Sequence, residues 1–297
     1  MNDAQKTRVR EWGEADAAEW IAAPGEASDK YSRGVLGVVT GSDRYPGAAV
    51  LGVEAAARTG VGMIRYLGAP RPADEVLRRR PEAVSAGGRV QGWLIGSGMD
   101  ASARPSDDLL RLRAALADGT PLVVDAGALD LVRSATGPVV VTPHYRELAG
   151  MLAAQADDDS DAVTAAEIAA DPAAWADRAA RSLGVTVLLK GHTTHIAVPS
   201  GGRFTVTAGT AWLATAGSGD VLGGILGALV ATHADEIASQ RHEALAALAA
   251  TAAWVHGQAG ERASDGGPIV ALDIADAVPA VVRDLLREQR RALSGGA

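Results

Sequence analysis

"PLVVDAGALDLVRSATGPVVVTPHYREL", residues 121–148, holds two short runs, PLVVDA (121–126) and PVVVT (138–142), whose centres, 122–124 and 139–141, are only valine and leucine. A strand with one wet face alternates apolar and polar residues; a run that is apolar throughout reads as a strand covered on both faces. Valine- and leucine-rich runs recur at VLGVVT (35–40), MIRYLG (63–68), GWLIG (92–96) and VTVLLKG (185–191). Helical spacing lies between them at 47–59, 105–117, 144–154 and 162–183. Strand and helix thus alternate, which predicts βαβ units and a three-layer αβα sandwich around a mostly parallel sheet. THIAVP and RFTVT, joined by SGG, break the alternation and read as a hairpin over 194–207. Two long helices follow, 218–232 and 241–263, then a terminal helix over 274–293.

No linker divides the chain, and no period of 20 to 50 residues recurs, so one domain of 297 residues is expected rather than a solenoid. The acidic run ADDDSDAVTAAE (156–167) reads as a solvated helix entrance, its aspartates near the positive end of the dipole. The first 25 or so residues and the closing LSGGA are expected to fray. A net charge of −8 without a dense Lys/Arg block disfavours nucleic acid and anionic membranes as partners. The chain has no cysteine, which excludes disulfides and thiolate chemistry. The polar N-terminus lacks a signal-peptide run and no apolar stretch is long enough to span a bilayer, so a soluble cytoplasmic protein is expected.

Chemistry-bearing residues gather where strands end, the edge at which open α/β sheets bind ligands. Asp125 closes one run; His144 follows another, with Glu147 three residues on; Lys190 and Gly191 close a third, followed by His192, Thr193 and Thr194. The stretch ATAGSGDVLGGILGALVA (214–231) sets Gly217, Ser218 and Gly219 at the mouth of an apolar helix. A glycine-rich turn opening a helix exposes backbone N–H groups and adds the positive end of the dipole, so it favours an anion. Neither G-x-G-x-x-G, nor Gly-Lys, nor G-x-S-x-G fits the spacing. Asp220 inside such a cradle has two readings. It or Ser218 caps the helix, or it is a base that takes the proton of a hydroxyl attacking a phosphoryl group, as in a kinase.

Six segments, in order, resemble the motifs of the ADP-dependent (S)-NAD(P)H-hydrate dehydratase family, a branch of the ribokinase-like superfamily. They are GSDRYPGAA (41–49), IGSG (95–98), DAGAL (125–129), TPHYRE (142–147), LKGHTT (189–194) and ATAGSGD (214–220). The resemblance covers roughly residues 30 to 290. It implies a ribokinase-like domain over 30–293, an extension over 1–29, and no epimerase domain within the chain. The implied reaction splits ADP to AMP and phosphate while hydrated NADH or NADPH is returned to its reduced form. Carried over by position, Asp220 would be the catalytic base and Gly217, Ser218 and Gly219 the phosphoryl cradle. Lys190, Gly191, His192, Thr193, Thr194 and Gly219 would bind the nucleotide. Ala48, Gly98, His144 and Asp220 would line the hydrated dinucleotide site, with Tyr45, Gly47, Asp125 and Glu147 in support. The family also implies Mg2+, a separate epimerase that interconverts the hydrate epimers, and a homo-oligomer.

Four places depart from the family pattern. Ser97 stands for a proline, Ser218 for a threonine and Tyr145-Arg146 for proline-glycine, while VTAGTAWLA (206–214) replaces a polar N-P-x-G-N segment. Two other readings share the cradle: a ribokinase-like kinase of a vitamin alcohol such as a thiazole or pyridoxine, and a nucleotide-binding protein without activity.

Overall fold

The apolar runs are strands, trimmed at their ends by the glycine, proline or polar residue that closes each one. The computed structural model describes residues 9–154 and 163–295. In chain order it begins with β1 (Arg10–Glu11), α1 (Glu14–Glu19), β2 (Val35–Val39), α2 (Pro46–Thr59), β3 (Met63–Tyr66), α3 (Pro70–Arg79), β4 (Gly92–Ile95), α4 (Ser106–Leu116) and β5 (Leu122–Val124). A short 3-10 helix, Ala126–Ser134, leads to β6 (Val139–Val141), α5 (Tyr145–Ala153), α6 (Ala165–Ala170), α7 (Pro172–Leu183) and β7 (Thr186–Leu189). The hairpin β8 (Thr194–Ala197) and β9 (Arg203–Val206) follows, then a 3-10 turn, Ala211–Leu213, and the helices α8 (Ser218–Thr232), α9 (Ala234–Gln240), α10 (His242–Ser264) and α11 (Ala271–Gly295).

One nine-stranded sheet runs β1-β9-β8-β7-β6-β5-β4-β2-β3. Only the β7–β8 and β8–β9 pairs are antiparallel. Residues on successive strand positions enter opposite cores, as the two-residue period requires. Leu36, Val38, Leu94, Val123, Val140 and Leu188 join the core of α1, α2, α8, α10 and α11. Val35, Val39, Ile95, Leu122, Val124, Val139, Val141 and Val187 join that of α4 to α7. This is the expected αβα sandwich, and each large side chain so buried contributes roughly 1.5–3 kcal/mol before chain entropy is counted. The chain turns from β2 to β3 on one side and then crosses to β4 on the other, so the strand order reverses at β2. Such a reversal opens a crevice at the C-terminal strand ends.

Several elements differ from the expectation. The N-terminal residues do not fray where they are described: β1 pairs in parallel with β9, and Trp12, Ala17, Ala18 and Ile21 are buried in the first core. The indole N–H of Trp12 donates to Thr251 Oγ1 at 3.2 Å. The helix expected over 162–183 is two helices broken at Asp171, whose carboxylate caps Ala174 N at 3.2 Å while Pro172 opens α7. Proline lacks the N–H and clashes with the preceding turn, so it starts helices and does not continue them. Residues 156–162 of the acidic run lie outside the described residues, and Thr164 and Glu167 form the capping box of α6. The last helix continues through Gly295, where LSGGA was expected to fray; its final two residues are not described. No single helix among the described residues is long and apolar enough to cross a membrane.

Candidate active site

The reversal at β2 brings two turns together. Gly41 N donates to Ser97 O at 2.7 Å and Ser42 Oγ to Gly98 O at 2.8 Å, tying the turn after β2 to the turn after β4. Gly98 has a left-handed φ of 67°, and a Cβ there would overlap that of Ala48. Ala48 is buried and Gly98 half-buried in this contact. Tyr45 and Gly47 lie at the exposed start of α2, with the Arg44 guanidinium 5.5 Å from the centre of the Tyr45 ring.

Asp125 is the hub of the strand ends. Its Oδ1 accepts from Thr142 Oγ1 at 2.7 Å and Lys190 Nζ at 3.0 Å, and its Oδ2 from Ser97 Oγ at 3.0 Å. The ends of β4, β5, β6 and β7 therefore converge on one buried carboxylate. The chain leaves β5 through Ala126 at φ 43°, a left-handed conformation that costs a non-glycine residue on the order of 1 kcal/mol or more. Lys190 also lies 3.7 Å from Glu147 Oε2. Burial alone would lower its pKa, but the charges of Asp125, Glu147 and Asp220 outweigh that and hold the ammonium charged. Glu147 in turn closes a capping box with His144 at the start of α5: His144 N donates to Glu147 Oε2 at 2.8 Å and Glu147 N to His144 Nδ1 at 3.1 Å. Accepting at Nδ1 leaves the proton of a neutral ring on Nε2, and that side chain is half exposed.

The cradle opens α8. Gly217 is the N-cap at φ 86°, and a Cβ there would overlap the Leu51 side chain, so both backbone and packing require glycine. Neither Ser218 nor Asp220 caps the helix with its side chain, so the capping reading does not hold. Ser218 N turns back to Thr215 O at 3.3 Å, whereas the N–H groups of Gly217, Gly219 and Asp220 have no acceptor among the described residues. Lys190, distant in sequence, is brought to this mouth: a Cβ on Gly219 would lie 3.7 Å from its Nζ. Asp220 accepts no hydrogen bond from any described residue; burial first, and then the charge of Asp125, push its pKa up to about 7 against the opposing pull of Lys190. A half-buried carboxylate poised near neutrality beside free amides and an ammonium can take a proton while an anion is held.

The sequence matches the NAD(P)H-hydrate dehydratase family over residues 36–279. The chain belongs to that family. It is 30% identical over 267 residues to the ADP-dependent (S)-NAD(P)H-hydrate dehydratase of Neisseria meningitidis serogroup B, covering 84% of this chain and 83% of that protein. It is 42% identical over 231 residues to the bifunctional NAD(P)H-hydrate repair enzyme Nnr of Mycobacterium leprae, covering 73% of this chain and 45% of the relative. This chain thus matches about half the length of the bifunctional relatives. The fold is that of the ADP/ATP-dependent NAD(P)H-hydrate dehydratase of Bacillus subtilis, co-crystallised with ATP and Mg2+, at a TM-score of 0.77 and 24% identity over 94% of this chain and 99% of that one.

The structure gathers Asp125, His144, Glu147, Lys190, Gly219 and Asp220 on one rim. Gly191 lies against the Tyr145 hydroxyl and His192 is exposed. Thr193 Oγ1 lies 3.3 Å from Thr207 Oγ1, joining the start of the hairpin to the segment that departs from the family pattern, and Thr194 pairs with Val206. Within that segment Thr210 Oγ1 accepts from Trp212 N at 3.3 Å, while Trp212 is 48% exposed. Three residues were not singled out as site residues from the sequence. Ser97 and Thr142 clamp Asp125, and buried His256 of α10 lies 3.0 Å from both Ser218 Oγ and Ser218 O. Ser97 gave the one usable signal, a hydroxyl where the family has proline; a histidine inside an alanine-rich helix gives none.

Proposed function

We propose that this chain dehydrates the S epimer of hydrated NADH or NADPH at the expense of ADP, returning NAD(P)H with AMP and phosphate. The observation that carries the phosphoryl-transfer step is Asp220, a carboxylate without a hydrogen-bond partner among the described residues, with a pKa of about 7, beside the free amides of Gly217, Gly219 and Asp220, and the family match over residues 36–279 supports the hydrated dinucleotide as acceptor. The free amides of α8 receive the transferring phosphoryl group and stabilise the charge that builds on it. Asp220 takes the proton of the ring hydroxyl as its oxygen attacks phosphorus; the O–P bond forms and the P–O bond to AMP breaks. A hydroxyl is a poor leaving group and a phosphate a good one. The ring C–O bond then breaks, the adjacent ring carbon loses a proton, and the double bond returns.

Lys190 offsets the charge of the nucleotide phosphates, and Gly191, His192, Thr193, Thr194 and Gly219 complete the nucleotide subsite. Ala48, Gly98 and the Nε2–H of His144 face the hydrated dinucleotide, with Tyr45 and Gly47 at its rim. Among the described residues no three His, Asp or Glu side chains are grouped to hold a metal. The donor set therefore suits an Mg2+ held mainly by nucleotide phosphates and water, which would neutralise phosphate charge. In the same reading the chain works in the cytoplasm as a homo-oligomer. An epimerase activity converts the other hydrate epimer into its substrate.

Incubation with hydrated NADH and either ADP or ATP, followed by the recovery of reduced-nicotinamide absorbance, tests the proposal. Recovery with ADP is expected. No recovery with either nucleotide, together with phosphorylation of a vitamin alcohol, would replace it with the kinase reading.

A further inference from the structure

His256 is buried on α10, with its Nε2 3.0 Å from Ser218 O and 3.0 Å from Ser218 Oγ. A carbonyl oxygen can only accept, so Nε2 must carry a proton. Burial, and then the nearby Lys190 charge, hold the ring pKa down to about 4 against the opposing pull of the Ser218 carbonyl, so the imidazole is neutral and its one N–H points at Ser218. The two acceptors belong to one residue and share that donor. This fixes the role of the serine hydroxyl: its oxygen accepts from His256, so its own hydrogen must point elsewhere. No described residue accepts it, although Ser218 is only 6% exposed. An unused donor in a buried position, in the first turn of the helix that carries the free amides, calls for an acceptor that arrives with the ligand.

We infer that the Ser218 hydroxyl donates a hydrogen bond to an oxygen of the phosphoryl group held in the cradle, and that His256 is the positioning residue that aims it. His256 touches neither nucleotide nor dinucleotide; it acts by occupying the hydroxyl's acceptor side and by pinning the Ser218 carbonyl in the first turn of α8. The main-chain amides of the cradle are supplied by any sequence in this conformation, whereas this donor depends on two side chains 38 residues apart. The inference rests on the proposed phosphoryl chemistry for its effect on turnover, but it also makes a claim about nucleotide affinity that needs no acceptor.

The test is a double-mutant cycle on Ser218→Ala and His256→Ala, with His256→Gln as the variant that keeps an N–H donor. Each protein is read for ADP affinity by calorimetry, for kcat and KM with hydrated NADH, and for thermal midpoint. Ser218→Ala is expected to lower kcat about 10- to 100-fold and ADP affinity about fivefold, with KM for the hydrated dinucleotide little changed. His256→Ala should reproduce those losses in the parent and add little in the Ser218→Ala background, because the two changes remove the same hydrogen bond. His256→Gln should recover part of the loss in ADP affinity even where its thermal midpoint stays low. Additive losses, or a His256→Ala variant that loses thermal stability while binding ADP normally, would overturn the inference. Coupled losses in ADP affinity without any turnover of hydrated NADH in the parent would leave it standing and remove the dehydratase reading instead.

Discussion

Glu54 and Asp220 are carboxylates on two helices packed against each other, α2 and α8, and the fold drives them in opposite directions. Glu54 is fully buried and is met by three guanidinium groups: Arg58 Nε at 2.6 Å, Arg79 Nε at 3.1 Å, and Arg80 Nε and Nη2 each at 2.6 Å. Burial alone would raise its pKa, but the hydrogen bonds from Arg80, Arg58 and Arg79 outweigh it and bring the value down to about 2. Asp220 has less burial and no guanidinium; burial and Asp125 carry its pKa up to about 7, with Lys190 alone opposing them. The lesson is that burial does not by itself say what a carboxylate is for; its partners do. A carboxylate saturated with donors is a fixed structural anion, and one left bare near neutrality is available for proton transfer.

Three substitutions bear on that contrast. Asp220→Asn should lower turnover of hydrated NADH about 10³-fold while ADP affinity stays within a few-fold, since a general base contributes 10² to 10⁴ to rate; a rate within tenfold of the parent would remove Asp220 as the base. Glu54→Gln should leave the active site intact but cost roughly 3–5 kcal/mol of stability, because three arginines lose a buried counter-charge. Denaturant unfolding at pH 7 reads this loss, and it should shrink below about pH 4 as the parent glutamate approaches its own pKa near 2.

Asp220 has the reverse linkage. The unfolded chain releases this proton near 3.8 and the folded chain near 7, so the folded state loses stability as pH rises through that interval. Asp220→Asn should therefore be more stable than the parent at pH 8 by roughly 2–4 kcal/mol and no more stable at pH 4, which thermal melts across pH would read. The smallest effect expected is on the position of a curve. Lys190→Met removes the charge that lowers the Asp220 pKa, so the rising limb of kcat/KM against pH should move upward from about 7, in addition to weaker ADP binding. An unmoved limb would assign it to another group.

The centre of the sheet was legible in the sequence because β2, β4, β5, β6 and β7 are buried on both faces, and such runs are mostly valine, leucine and isoleucine. The long helices α8, α10 and α11 were legible for a related reason, being apolar or strongly periodic. What was missed was locally polar and tertiary in origin. α3 opens with Pro70 and Pro72 and is otherwise rich in charge, and the segment holding Trp12 and Ile21 reads as a solvated tail until its contacts with α10 and α11 are known. The site divides in the same way. Asp125, Lys190 and Asp220 each stand at the end of a run or the start of a helix, where spacing points to them. The arrangement that makes them one site does not follow from spacing: Lys190 is 65 residues from Asp125, and His256 is 38 from Ser218.

The two-residue strand β1 has a consequence for solubility. Strand edges present unpaired N–H and C=O groups on which a second molecule can add a strand, and a long, flat, apolar edge is an aggregation site. Here the outer strand of the hairpin is shielded by Arg10 and Glu11, both exposed and of opposite charge, on a strand too short to template another. The N-terminal segment thus closes the sheet on the hairpin side against self-addition, a service to the molecule in crowded solution that has no part in the chemistry at the C-terminal ends of β4 to β7.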